Sequence, residues 1–206
     1  MGEQVGSRTR GFSIVEMLIA LTISAMLLTA TLGALDASWR SYKMTTESAS
    51  THVVSRIVVS RILALIRTGT QFGPYPADVL DASQNPVPDN HVLEFVAESD
   101  RLAGNENIVT RIERRAVSGR TDMYELWYMR LDNSTEPATL IDERPMLRNV
   151  REALFILEYA AGPRLIRATL DLTIQPNDEQ DMNVGVGGET PTIRLVASAV
   201  PKQFEE

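Results

Sequence analysis

Glu16 is the residue whose placement most demands a chemical explanation. From Phe12 to Leu35 there are 24 residues, and Glu16 is the only charge among them. Wound into a helix at 1.5 Å per residue, that run reaches about 36 Å, enough for a hydrocarbon core of about 30 Å. A carboxylate inside such a span costs about 2.5–3.5 kcal/mol near mid-membrane and less towards the edge. In the first turn of a helix it meets the positive end of the macrodipole, which offsets part of that cost. A full partner would be a cation at the same depth.

Other groups capable of chemistry are few. Asp178, Glu179 and Asp181, with Asn177 and Asn183, supply oxygen ligands at a short spacing that suits calcium. Their spacing matches no recognised loop, and a solvated turn between two strands is the favoured reading. Only two histidines occur: His52 falls within a helical stretch, and His91 opens a strand after a loop, so both read as surface residues. Gly185, Gly187 and Gly188 lack the lysine and the helix start that a phosphate cradle needs. Asn133-Ser134-Thr135 matches a glycosylation acceptor by composition alone. No nucleophile elbow, His-Glu-x-x-His or phosphate-binding loop occurs, and the chain reads as non-enzymatic with no cofactor, calcium at 178–181 apart.

The elements that position these groups follow from periodicity. Residues 1–11 are a short polar leader whose charges are Glu3, Arg8 and Arg10. The arginines against the apolar run hold that end inside and leave everything after Asp36 outside. Residues 12–35 form the spanning part of a helix that continues over 36–68. Trp39 and Tyr42 sit where an aromatic belt belongs. Beyond them Ala49, Val53 and Ile57, and one row over Val54, Val58, Ile62 and Leu65, recur at helical spacing, a stripe expected to pack on the C-terminal domain. Arg67 and Gly69 close the helix as a last-turn cation and a C-terminal cap. Unbroken from Phe12 to Arg67, it is on the order of 84 Å long. Gly33 interrupts it near the outer end, as a loosening point or as a small residue for close helix packing.

Residues 69–206 read as an antiparallel β domain entered through a proline-rich loop at 70–90. Strands are expected at His91–Ala97, Ile108–Val117, Met123–Leu131, Ala153–Tyr159, Leu165–Gln175 and Pro191–Val200. In the fifth of these, Ile166, Ala168, Leu170, Leu172 and Ile174 face one way and Arg167, Thr169, Asp171 and Thr173 the other, the alternation of a sheet with one wet face. The fold class is therefore α+β: a long N-terminal helix, membrane-spanning in its first half, packed on a C-terminal antiparallel sheet.

Gly11-Phe12-Ser13-Ile14-Val15-Glu16, followed by the apolar helix, resembles the class III signal of type IV pilins and type II secretion pseudopilins. The resemblance implies cleavage by a prepilin peptidase between Gly11 and Phe12, N-methylation at Phe12, and a role for Glu16, fifth in the processed chain, in assembly. A neighbouring subunit's Phe12 amine would be its partner. The order after the helix resembles the J-type minor pseudopilins more narrowly: a Tyr/Trp-rich strand ending in Arg130, then Pro145-Met146-Leu147 and Asn149-Val150 before Leu154–Tyr159. W-type minor pilins share much of that layout. The J-type likeness implies a structural subunit near the tip of a pseudopilus. It would be anchored once in the bacterial inner membrane with its C-terminal domain in the periplasm, and partnered by other minor pseudopilins and the major one.

The formal charge is −7; loss of residues 1–11 removes one Glu and two Arg and leaves −8. With no basic run, that acidic exterior argues against nucleic-acid binding. The chain has no cysteine, so the exterior domain relies on its core, and a disulfide-closed major pilin is the poorer likeness. Two other readings stand beside the main one: a minor type IV pilin serving adhesion or DNA uptake, and a plain single-pass anchor carrying an exterior binding or enzymatic domain.

Overall fold

The computed structural model describes residues 12–87, 90–162, 164–176 and 192–202. The leader with Gly11, the acidic cluster Asp178, Glu179 and Asp181, and the glycines Gly185, Gly187 and Gly188 lie outside them. The fold is α+β. Helix α1 (Ile14–Thr68) is followed by an antiparallel sheet. By contact the chain divides into two units, Met1–Thr46 and Glu47–Glu206, with the division falling inside α1.

In the first unit, α1 is long and apolar enough to cross a membrane by length and composition. Its side chains from Phe12 to Tyr42 are exposed, with no cover from their own unit. The threonines that dilute this apolar surface bond back to the helix. Thr22 donates to the Ile19 carbonyl at 2.8 Å, Thr29 to Ala25 at 2.8 Å and Thr31 to Leu28 at 2.9 Å. A hydroxyl satisfied within its own helix does not need water, which is why threonine is tolerated there. Just beyond this apolar stretch Trp39 and Tyr42 lie with ring centroids 6.3 Å apart, beside an Arg40–Asp36 ion pair of 2.6 Å one turn long. A methyl group added at Gly33 would meet nothing within 4 Å, so nothing in the single subunit demands a glycine there.

Among the described residues of the second unit seven strands run in chain order, each antiparallel to the next: β1 (Thr70–Gly73), β2 (Val92–Val96), β3 (Ile108–Ala116), β4 (Tyr124–Asp132), β5 (Thr139–Ala160), β6 (Arg164–Ile174) and β7 (Ile193–Ala199). Strands that are consecutive in the chain are neighbours in the sheet and need no crossover, the simplest connectivity a sheet allows. Leu93, Phe95, Ile112, Leu126, Phe155, Leu157, Leu170 and Leu172 form the core and are fully or almost fully buried. The helix contributes Val58, Val59, Ile62 and Ile66 to that core.

The helix face differs from the expected stripe. Val58 and Ile62 are buried as expected, but Val53, Val54 and Ile57 are exposed at 60%, 50% and 63%, Ala49 is exposed and Leu65 is half-buried. Two apolar rows compete on this helix. Val53 and Ile57 run on into Ser60, Arg61 and Ala64, whereas Val58, Val59, Ile62 and Ile66 keep their apolar character for two more turns. The longer row wins. Ser55 extends it as a buried small residue whose hydroxyl is satisfied by the His52 carbonyl at 3.0 Å.

Three further corrections concern strands. Thr70–Gly73 belongs to a strand, not to the proline-rich loop. Strand β5 has 22 residues, whereas only Ala153–Tyr159 reads as a strand by composition. Pro145 hides its first half. Pro145 pairs with Trp127 of β4, and β6 reaches back only to Val150, so among the described residues its other side is an edge where a missing N–H does no harm. Asn149, with φ of 58°, bends β5 where it passes from β4 to β6; asparagine tolerates that left-handed conformation. In β6 the alternation slips by one: Leu165 is buried and Ile166 is 43% exposed. The pairing shifts between Glu158 and Tyr159 opposite, and such an irregularity turns a side chain to the other face.

The loop after β1 is tied to the second half of β5. Val87 pairs with Leu157 and its N–H donates to the Leu157 carbonyl at 2.9 Å. The Asn85 side chain donates to the Val79 and Tyr159 carbonyls at 2.9 and 2.8 Å and accepts the Tyr159 N–H at 2.9 Å. The Tyr159 hydroxyl donates to the Pro74 carbonyl at 3.0 Å. This segment therefore lies beside β5 where β4 has ended. Helix α2 (Glu98–Leu102), absent from the sequence reading, carries the buried Asp100, which receives a hydrogen bond from Arg130 of β4.

Gly69 follows α1 as expected, and its N–H donates to the Leu65 carbonyl at 2.9 Å. Its φ is not positive, so conformational freedom is not what the site requires. Space is. A methyl group there would lie 2.8 Å from Phe95, 3.0 Å from the Leu65 carbonyl oxygen and 3.1 Å from Phe72. Gly69→Ala is expected to destabilise the protein by about 1–3 kcal/mol through overpacking, measured as a lower denaturant midpoint.

Candidate functional site

The N-terminus of α1 is built by four residues. The Ser13 N–H donates to Glu16 Oε2 at 3.0 Å, the Val15 N–H to Ser13 Oγ at 3.4 Å, and the Met17 N–H to the Ser13 carbonyl at 3.1 Å. This is a reciprocal capping box: a serine at the cap, and a glutamate three residues on that reaches back to it. Ser13-x-x-Glu16 is legible in the sequence as a cap, a signal the expected role of Glu16 overshadowed. One oxygen of Glu16 is thus engaged within its own chain, while its charge faces the positive end of the helix. Phe12, exposed at 79%, precedes the cap directly. Glu16 and Phe12 therefore lie at the same end of α1.

The other residues read from sequence stand apart from this end. His52 is exposed on α1. His91 is half-buried, and its Nδ1 donates to the Ala153 carbonyl at 3.1 Å. Asn133, Ser134 and Thr135 lie in the exposed turn between β4 and β5, where the Ser134 N–H donates to Asp132 Oδ1 at 2.8 Å. Among the described residues no cluster of histidines and carboxylates has the form of a metal site. The proposed calcium ligands fall outside those residues.

The outer face of the sheet carries interleaved charges that composition alone does not reveal. Arg111 pairs with Glu94. Arg115 bonds Glu113 at 2.6 Å and Glu143 at 2.9 Å, with its guanidinium 5.0 Å from the Trp127 ring centre. On β6 and β7, Arg194 holds Asp171 through Nε at 2.9 Å and Nη2 at 2.6 Å. The Arg194 hydrogen bonds hold the Asp171 carboxyl below its ordinary range. Ser83 does the same for Asp81, and Ser134 for Asp132. A carboxyl whose folded pKa is depressed stabilises fully above its unfolded value, about 3.9 for Asp, and loses that contribution as pH falls through the folded value. Thermal stability is therefore expected to fall as pH drops below about 4, and Asp171→Asn to flatten that fall. Its effect at neutral pH is about 1 kcal/mol or less, because Arg194 is solvent-exposed.

Comparison with known families places the N-terminal site in context. The family described as the prokaryotic N-terminal methylation motif matches residues 6–32. That match supports a type IV pilin-like protein. It implies processing by a prepilin peptidase and assembly with other pilin-like subunits, and it suggests a structural subunit. The single apolar helix is consistent with the single-pass anchor of prepilin-type proteins. No curated protein and no solved structure matches the chain.

Proposed function

We propose that the chain is a minor pseudopilin, J-type in kind, that takes a place at or near the tip of a type II secretion pseudopilus. Cleavage falls between Gly11 and Phe12, the Phe12 amine is methylated, and Glu16 sets the register of addition to the filament. Its carboxylate meets the amine of a neighbouring subunit at the same membrane depth, where a charge pair is worth far more than in water. The exterior sheet domain meets other small pilin-like subunits in the periplasm, and no bond-making step is assigned to it. The pilin-like part of this reading rests on a capped carboxylate in the first turn of a long apolar helix, inside a matched methylation motif, and its J-type part on the resemblance in strand order after the helix.

Co-purification decides between a secretion pseudopilus and a type IV pilus. Affinity-tagged full-length protein, expressed with the pilin-like subunits of each system, is expected to retain the minor pseudopilins. Retention of type IV minor pilins instead would replace this reading by the pilus one.

A further inference from the structure

We propose that the exterior domain holds a carboxylate-binding cleft, at the gap in strand pairing along β5, which takes an acidic segment of a partner protein. The inference stands on the sheet domain alone and does not depend on the pseudopilin reading.

Strand β5 pairs with β4 as far as Val150, opposite Tyr124. On that side it next meets protein backbone at Phe155, whose N–H donates to the Asn90 carbonyl at 2.8 Å. Between these points the two neighbours of β5 diverge and leave a cleft of about 420 Å³. That volume lies within the range of about 300–1,000 Å³ common to ligand sites. His91, Arg114, Tyr124, Arg151, Glu152 and Leu154 line it, with Asp122 at the rim.

Both arginines are held in place by groups that leave donors to spare. The Arg114 guanidinium lies over the Tyr124 ring, 4.1 Å from its centre. Among the described residues no carboxylate is within ion-pair distance of it, whereas Arg111, Arg115, Arg130, Arg167 and Arg194 of the same sheet each have one. Arg151 donates through Nε to Gln175 at 2.8 Å and through Nη1 to the Asp122 carbonyl at 3.2 Å. The Asp122 carboxylate, 78% exposed, makes a long ion pair with the same Nη1 at 4.0 Å, which leaves Nη2 without a partner of its own among the described residues. His91 is oriented by its Nδ1–H bond to Ala153, which directs its other ring nitrogen away from that carbonyl. A guanidinium presents its donors in a planar fork that matches a carboxylate, and its stacking on a ring leaves that fork free.

Local charge selects the ligand. Glu152 and Asp122 offset the two guanidinium charges, so a single carboxylate suits the cleft better than a doubly charged phosphate. The net charge of the chain, −7, repels polyanions. Leu154 supplies an apolar contact for the stem of an Asp or Glu side chain. An extended segment fits a gap left between neighbours of a strand.

The test uses the full chain in nonionic detergent and a rhodamine-labelled, end-blocked peptide of sequence Gly-Glu-Gly-Gly, which carries one side-chain carboxylate, read by fluorescence anisotropy. A Gly-Gln-Gly-Gly peptide, a Gly-Gly-Gly-Gly peptide with a free C-terminal carboxylate, and inorganic phosphate as competitor complete the set. The acidic peptide is expected to bind and the amide peptide not. Arg114→Gln should weaken binding roughly 5–20-fold while Arg164→Gln, an exposed arginine outside the cleft, leaves it unchanged. Glu152→Gln should tighten it by about threefold, which keeps the test decisive if Arg114→Gln does not fold. Binding by the free-carboxylate peptide alone would assign the site to a chain terminus and overturn the acidic-segment proposal. So would equal binding of the amide peptide, equal loss in both arginine variants, or tighter binding of phosphate.

Discussion

Replacing Glu16 by alanine is expected to leave cleavage after Gly11 intact and to lower incorporation into filaments by about tenfold or more, a loss of roughly 1.4 kcal/mol for each factor of ten. The sign of the insertion energy makes the result informative. Removing a carboxylate from an apolar span makes membrane insertion easier, by up to about 2.5–3.5 kcal/mol at mid-membrane and less at this depth. Failure to assemble therefore could not arise from failure to enter the membrane. The capping box offers a competing cause, since alanine also forfeits the bond from the Ser13 N–H. Glu16→Gln separates the two. Glutamine keeps the cap, because either residue serves at that position, but it carries no charge. The charge-pairing account expects Glu16→Gln to assemble as poorly as Glu16→Ala, while normal assembly of Glu16→Gln would assign the role to the cap. The readout is the fraction of processed subunit recovered in sheared filaments.

The second large effect concerns which helix face holds the sheet domain together. Ile62 is fully buried and Ile57 is 63% exposed, although both recur at helical spacing in the sequence. Ile62→Ala is expected to cost about 2–5 kcal/mol by the loss of buried methyl groups and the cavity left behind. Ile57→Ala should stay within about 0.5 kcal/mol. Equilibrium unfolding of the full chain in detergent, followed by tryptophan fluorescence, measures both. Equal costs would return the packing face to the row through Ala49, Val53 and Ile57.

These two cases show what the sequence can and cannot say. The apolar run, the long helix and most strands are legible because each rests on a local pattern: an unbroken apolar stretch, a 3.6-residue period, or alternation over ten residues. The face that Ile62 and Ile66 bury is not local. It depends on which of two apolar rows meets Phe95 and Phe155, residues 29 or more positions away. Strand β5 is half hidden because Pro145 and Asn149 are turn residues by composition, and only the edge position of the one and the bend at the other make them strand residues. Ile166 illustrates the same limit. Its pattern is correct for a regular strand, and the irregularity opposite Tyr159 moves it outward.

The candidate sites divide in the same way. Glu16 stands out because a charge in an apolar run is anomalous wherever it occurs, and its cap with Ser13 lies within four residues. The cleft over β5 was invisible. His91, Arg114, Tyr124 and Arg151 come from separate segments with no shared spacing, and the long reach of β5 brings them together. The ion pairs of the outer face, such as Arg194 with Asp171, were likewise unreadable before the strand register was known.

The central claim is that the N-terminus is a processed one, and intact mass measures it most directly. Expressed with a prepilin peptidase, the protein is expected to yield a product that begins at Phe12 and is heavier by one methyl group. A full-length product with residues 1–11 still attached would contradict the account. Glu16 would then lack the amine that its assembly role requires and be left with the Ser13 cap alone.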